Sequence, residues 1–209
     1  MFKLPFSIMP RGGLQHFGVM EKCFDEEEVE RITFFEKILN FEPQTTTGEM
    51  MNPDAEETQN YRVVNGARFP LDENTQWLFD KIFHFTAQAN YDLFLYDIEF
   101  LEPPSYLIYE SFGDGSFYKP HRDTKLHEYQ PYDRKISATI FLSDPEEYEG
   151  GELLVDTGGG QPKENWVKIK AKKGEICFFD STMIHEVTPV TSGIRKVIVF
   201  WIHGKNKIC

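Results

Sequence analysis

Cysteine is scarce in this chain. Three occur in 209 residues, Cys23, Cys177 and Cys209, and they are odd in number, widely spread and without a Cys-x-x-Cys pair. A disulfide framework or a thiolate zinc site is therefore not expected, and a reducing, cytoplasmic setting fits. Basic residues are in the minority, 22 against 34 acidic, which gives a formal net charge of −12. So acidic a chain lacks the footprint that phosphate backbones select, and nucleic acid is disfavoured as a partner, although Lys163–Lys173 is locally basic. Long apolar runs are missing too, so no membrane span is expected. The opening MFKLPFSIMPRGGLQHF has its apolar residues broken by Pro5 and Pro10, and it lacks the core and cleavage site of a secretory signal. No internal repeat or linker divides the sequence.

Apolar residues are plentiful: 40% of the chain is hydrophobic, with 19 Phe, enough for a core in a single domain. Two stretches carry a helical period. Asp25 followed by Glu28 reads as a capping box, after which Val29, Ile32, Phe35, Ile38 and Leu39 recur on one side. A second helix is expected to start near Asp72 or Asn74, with Leu78, Ile82, Phe85 and Ala89 as its apolar stripe. Between them Pro43–Gln59 is polar, aperiodic and reads as a long surface loop.

From about Phe100 the pattern changes to short strands: Tyr106–Phe112, Ile136–Leu142, Glu152–Val155, Trp166–Ile169, Ile176–Phe179, Glu186–Val190 and Lys196–Ile202. Turn chemistry separates them, including Glu149-Gly150-Gly151 and Ser192-Gly193. Many short strands with frequent turns predict a sandwich or barrel. The chain thus reads as mainly β with N-terminal helices: residues 1–99 as a helical support integral to the fold, and residues 100–209 as the strand-rich core.

The chemistry gathers in Tyr118-Lys119-Pro120-His121-Arg122-Asp123. On an extended segment residues i and i+2 point the same way, so His121 and Asp123 can reach one ion. His185 lies 62 positions beyond Asp123 and opens another expected strand. Two His and one carboxylate on one face of an octahedral ion leave the opposite face open, the arrangement of non-haem Fe(II) oxygenases. His-x-Asp alone is a weak signal, since a surface pair flanking a turn accounts for it equally well. Arg195 strengthens it. This residue sits ten positions after His185, where a guanidinium could give a dicarboxylate cosubstrate bidentate, permanently charged recognition. The segment Ile136–Ser143 alternates hydroxyls with apolar residues, as suits a pocket wall.

Taken together, Phe141–Asp156 (FLSDPEEYEGGELLVD), YKPHRD and His185–Gly204 (HEVTPVTSGIRKVIVFWIHG) resemble the prolyl 4-hydroxylase-type 2-oxoglutarate dioxygenases, and within them the PKHD-type hydroxylases. Phe69–Asn90 is similar as well, so the resemblance spans roughly residues 20–204. It implies a double-stranded β-helix, a cupin-like jelly roll with the metal inside. His121, Asp123 and His185 match the Fe(II) ligands, and Arg195 matches the residue that pairs with the distal carboxylate of 2-oxoglutarate. Many relatives carry a cosubstrate-touching Tyr about nine residues before the first ligand. Here that position is Phe112, so either Tyr109 or Thr139 is expected to take the role. Tyr118 and Trp201 are expected on the substrate side, with Trp201 along the pocket floor.

The implied activity is O₂-dependent hydroxylation of an unactivated C–H, with succinate and CO₂ released and ascorbate as a supporting reductant. A prolyl residue of a protein or peptide is the leading substrate. A free amino acid or small metabolite is the alternative, and a non-catalytic jelly-roll binding module is a third reading. The segments Pro43–Gln59 and Thr124–Lys135 are candidates for shaping substrate entry. PKHD-type relatives carry a further helical segment where this chain ends at Cys209, which fits a compact version with altered dimer contacts. His16, His84, His127 and His203 are expected to be structural or exposed, and Cys177 a core thiol.

Overall fold

The capping box forms at the start of the first helix. Asp25 accepts a hydrogen bond from the Glu28 N–H at 2.9 Å, and the Glu28 carboxylate accepts from the Asp25 N–H at 3.0 Å. Helix α1 then runs Glu26–Thr33 with Val29 and Ile32 buried. It tightens into a 3₁₀ turn, Phe34–Lys37. The change of pitch shifts the phase of the stripe, so Phe35 stays buried while Ile38, expected on the same side, is 63% exposed. Helix α2, Gln76–Ala89, begins a little later than expected, because the Asp72 carboxylate is engaged holding the preceding turn through the N–H groups of Asn74 and Thr75. Its expected stripe packs inward: Leu78, Ile82 and Ala89 are buried and Phe85 is partly so.

The computed structural model describes residues 16–47, 60–124, 131–158 and 160–205. Thirteen strands are present among them. The N-terminal part contributes β1 (Phe17–Met20), β2 (Glu42–Thr47), β3 (Asn60–Arg68) and β4 (Ile98–Leu101). The rest are β5 (Ser105–Glu110), β6 (Phe117–His121), β7 (Tyr132–Phe141), β8 (Tyr148–Gly150), β9 (Leu153–Val155), β10 (Val167–Lys168), β11 (Ile176–Asp180), β12 (His185–Val187) and β13 (Val190–Lys205). Every pairing is antiparallel, in the order β1-β11-β7-β13-β5-β3-β6-β12-β9-β10, with β2 on β3 and both β4 and β8 on β13. Strand β3 turns the sheet back on itself: Asn65–Arg68 pair with β5, while Arg62 and Val63 pair with β6. The result is the curled sheet of a jelly roll, as expected.

Several expectations change. The stretch from Pro43 does not begin as a loop, since Glu42–Thr47 pairs with β3 along its length; residues 48–59 lie outside the described residues. Likewise the segment expected as a loop to Lys135 is strand from Tyr132 onward, paired with the end of β13, and residues 125–130, His127 among them, lie outside the described set. Ser192-Gly193 does not break the chain into two strands. Gly193 has φ +72° and pairs with Tyr148 just past a register irregularity between Val190 and Ser192, and β13 continues through both.

Period-two alternation along β13 divides the core. Ile198, Phe200 and Ile202 face a helix-side cluster with Ile136, Ile140, Phe178, Ile32, Leu78 and Ile82. The alternate residues, Arg195, Val199 and Trp201, line the interior of the curl. One strand thereby anchors the helices on one face and furnishes the cavity on the other. Among the described residues no helix is long and apolar enough to cross a membrane.

Candidate metal centre

His121 and His185 are direct cross-strand partners on β6 and β12. Their ring centroids lie 4.2 Å apart. Asp123 follows two residues after His121, and its N–H and that of Thr124 both bond the Ser181 carbonyl, which pins the chain just past β6. One ligand atom from each of His121, Asp123 and His185 falls within 4.8 Å of the others. The Asp123 carboxylate reaches both imidazoles, 3.6 Å to His121 Nε2 and 3.4 Å to His185 Nε2.

The backbone sets how the imidazoles point. His121 Nδ1 is 2.8 Å from the Lys119 carbonyl, and His185 Nδ1 is 3.1 Å from the Met183 carbonyl. A carbonyl can only accept, so each Nδ1 carries the proton and each Nε2 offers a free lone pair toward the other two groups. Burial pushes the His185 pKa down to about 4, keeping that ring neutral. Burial alone would raise the Asp123 pKa. His185, His121 and the Trp201 indole N–H outweigh it and hold the carboxyl well below the usual carboxylate range. Two imidazoles and one carboxylate, with mutually close donor atoms, suit a divalent cation of the Fe(II) type.

Arg195 opens on the same cavity. It is 2% exposed, and its Nε and Nη1 have no hydrogen-bond partner. The Tyr109 and Phe141 rings lie 5.0 and 5.7 Å from the guanidinium carbon. A buried guanidinium with open donors is costly without an anion, and its planar donors have the geometry that suits a carboxylate. The Glu-Gly-Gly turn supports that arrangement. A Cβ on Gly151, which has φ +60°, would lie 2.8 Å from Val190 Cγ2 and 3.0 Å from Arg195 Cδ, and one on Gly150 would lie 2.1 Å from the Pro189 carbonyl oxygen.

All eight residues singled out from the sequence line this one cavity: His121, Asp123, His185, Arg195, Tyr109, Thr139, Tyr118 and Trp201. Tyr109 is the cross-strand partner of Arg195, and Thr139 lies opposite Val199. Tyr118 stacks on His121 with centroids 3.4 Å apart and planes 18° from parallel. Burial pushes its phenol up to about 12. Trp201 reaches Asp123 with its indole N–H and carries the Arg134 guanidinium 3.9 Å over its ring. Of the expected hydroxyls, Ser137 pairs with Ser181 at 2.8 Å, and Ser143 bonds the Lys196 N–H. His203 is structural in its contacts, bonding Glu102 at 2.5 Å and stacking on Phe100.

Sequence reasoning missed three neighbours. Arg62, from β3, lies 5.0 Å over the Tyr118 ring, and its Nε is buried without a partner. Phe179 meets His185 edge-on at 4.7 Å. Arg134 holds Glu102 through two bonds, of 2.6 and 2.8 Å, and bonds the Asp123 carbonyl at 3.4 Å. The alternation of Phe178 and Phe179 could have flagged Phe179 as inward-facing, whereas no local signal marks Arg62.

Residues 105–203 match the family model of the 2OG-Fe(II) oxygenase superfamily. A PKHD-type hydroxylase of Maricaulis maris is 36% identical over 100 residues, 48% of this chain and 42% of that protein. The chain thus matches less than half the length of that curated relative. Two solved structures share the fold. One is the viral collagen prolyl hydroxylase of Paramecium Bursaria Chlorella virus-1 as its 2OG complex, with TM-score 0.65, 20% identity, and 92% of this chain and 99% of that one covered. The other is a Trichoplax adhaerens prolyl hydroxylase in complex with a hypoxia inducible factor peptide fragment, with TM-score 0.63, 18% identity and coverage of 90% and 83%. The strand-rich body between residues 105 and 203, which holds the whole of the His-Asp-His cluster and Arg195, is thus the part of the chain that is similar to the 2OG-Fe(II) oxygenase superfamily.

Proposed function

We propose that the chain is an Fe(II)- and 2-oxoglutarate-dependent dioxygenase that hydroxylates a prolyl residue of a protein or peptide. In this reading His121, Asp123 and His185 hold the metal, Arg195 holds the distal carboxylate of 2-oxoglutarate, and Tyr109 or Thr139 assists it. Together the metal and 2-oxoglutarate supply the chemistry, using O₂ to convert a C–H bond to C–OH with release of succinate and CO₂. The chain contributes position and polarity. Lys119 and Met183 carbonyls fix the two imidazole tautomers, and the Trp201 N–H steadies the Asp123 carboxylate. Leu107, Leu153, Val187 and Val199 keep the cavity wall apolar, which limits water around the reacting groups. Tyr118 and Trp201 flank the substrate side.

The observation that carries the reading is Arg195: a buried guanidinium with open donors in the cavity that also holds the ligand cluster. The peptide substrate rests on the company the fold keeps, a collagen prolyl hydroxylase and a prolyl hydroxylase bound to a peptide. Residues 1–99 serve as support integral to the fold and 100–209 as the oxygenase core. Ascorbate dependence and a cytoplasmic location complete the proposal.

Incubation with Fe(II), 2-oxoglutarate and ascorbate against a panel of proline-containing peptides tests it. Succinate should form in step with a peptide gaining one oxygen on proline. Succinate formation stimulated only by free amino acids would replace the peptide reading with the small-metabolite one.

A further inference from the structure

Two of the three residues in the His-Asp-His cluster take their anchors from a single turn. Asp180–Met183 links β11 to β12 and closes with the Met183 N–H on the Asp180 carbonyl at 2.9 Å. The Ser181 carbonyl of this turn accepts the N–H groups of Asp123 and Thr124 at 3.1 and 3.2 Å. Its Met183 carbonyl accepts from His185 Nδ1 at 3.1 Å. A displacement of the turn therefore moves Asp123 and His185 together, and with them the spacing of the cluster.

The Asp180 side chain sets the shape of the turn. Its carboxylate is buried and accepts from the Thr182 N–H at 2.7 Å and the Thr182 hydroxyl at 2.6 Å, the short-range bonding by which an Asp fixes a turn. The other carboxylate oxygen accepts from the Tyr96 phenol, which comes from 84 positions earlier in the chain. Tyr96 is itself held in place. Helix α2 ends in a wider π turn, Asn90–Phe94, and the Asn90 side chain bonds both the N–H and the carbonyl of Tyr96 at 2.9 Å. Leu95, just before it, has φ +57°, a conformation that a residue other than glycine keeps only where its surroundings hold it. Phe94 stacks on the Tyr96 ring, with centroids 5.9 Å apart and planes 9° from parallel. Burial and the Asp180 carboxylate push the Tyr96 pKa up, so the phenol stays protonated and keeps donating. Asn90, Leu95 and Tyr96 all lie before the matched residues 105–203, and none of them lines the cavity.

We infer that Tyr96 and Asp180 are positioning residues for the metal: the end of α2, through a buried phenol–carboxylate bond, sets the spacing of Asp123 and His185 and so the affinity of the cluster for its ion. The inference rests on the reading that the cluster holds Fe(II). Outer partners of metal ligands are commonly worth about 10–100-fold in affinity. Tyr96→Phe removes one bond and leaves the ring packing in place, which puts it at the low end, about tenfold. Asp180→Ala frees the turn and belongs at the high end. Tyr96 acts through Asp180, so adding Tyr96→Phe to Asp180→Ala weakens binding no further.

The test is an anaerobic titration of the full chain with Co(II), a coloured stand-in for Fe(II), whose visible spectrum reads affinity and ligand geometry together. Urea unfolding of each metal-free protein reads stability separately. Tyr96→Phe should bind about tenfold more weakly than wild type and with a changed band shape. The double variant should bind like Asp180→Ala alone. Phe200→Ala, a core change on the face of β13 turned away from the cavity, is the destabilised control and should keep the wild-type spectrum, with an affinity within a few-fold. If Asp180→Ala does not fold, Tyr96→Phe against Phe200→Ala decides the matter. Wild-type affinity and spectrum in Tyr96→Phe, additive losses in the double variant, or an equal weakening in Phe200→Ala overturns the inference, while binding by the wild-type protein leaves the metal reading intact. A folded wild-type protein that binds neither Co(II) nor Fe(II) removes the metal reading itself and the inference with it.

Discussion

Arg195 is costly for the fold, and in the proposed function it is the residue that holds the cosubstrate's distal carboxylate. It is buried at 2% exposure, and two of its donors go unmatched. Rings of Tyr109 and Phe141 offset only part of that desolvation. Exchanging a buried ion pair for well-packed apolar residues is often neutral or stabilising by about 1–4 kcal/mol, and a buried guanidinium without an anion has still less attraction to lose. Arg195→Met should therefore leave the ligand-free protein as stable as wild type, or more so, in urea unfolding. The same variant should lose the stabilisation that 2-oxoglutarate gives the Fe(II)-loaded wild type in thermal melts. A large loss of stability in the ligand-free variant would show instead that Arg195 is a structural residue.

Element by element, the site depends on register, and register explains what the sequence could disclose. His-x-Asp was legible because an extended strand places i and i+2 on one side, and His185 and Arg195 were legible because each begins or sits early in a hydrophobic run. The helical stripe of α2 was equally plain. Arg62 was not, because it enters the cavity only through the pairing of β3 with β6, and Arg62↔Tyr118 joins residues 56 positions apart. Strands β1 to β3 were hidden for the same reason: Glu42–Thr47 has the polar composition of a loop, and only its partner makes it a strand. Period two on β13 gives a test of this division of labour. Phe200 faces the helices and contacts Phe178, with ring centroids 6.0 Å apart. Phe200→Ala should cost about 3–5 kcal/mol of stability. Metal and 2-oxoglutarate affinity of the folded fraction should stay within a few-fold of wild type. Loss of metal binding without loss of stability would contradict the two-sided account of the strand.

Across the whole molecule, the thiol chemistry is quiet. Burial pushes Cys23 up to about 11, and pushes Cys177, fully enclosed between β7 and the interior of the curl, up to about 12. Only the thiolate is a good nucleophile, and its fraction at pH 8 is then on the order of a thousandth or less. Iodoacetamide at that pH should leave both unmodified in the folded protein and label both after denaturation, read by peptide mass. Rapid labelling of either in the native state would mean that the helices or β1 open readily. The same packing that shields these thiols places α1 and α2 behind β7, β11 and β13 and leaves the interior of the curl to the His-Asp-His cluster and Arg195.

The central claim is that this interior holds Fe(II) and a chelating keto acid together. Anaerobic addition of Fe(II) and then 2-oxoglutarate, followed by visible absorption, reads that directly and needs no knowledge of the substrate. The account predicts a weak charge-transfer band that disappears in His121→Ala and weakens in Arg195→Met. A folded wild-type protein that shows no band, or an undiminished band in His121→Ala, would contradict it.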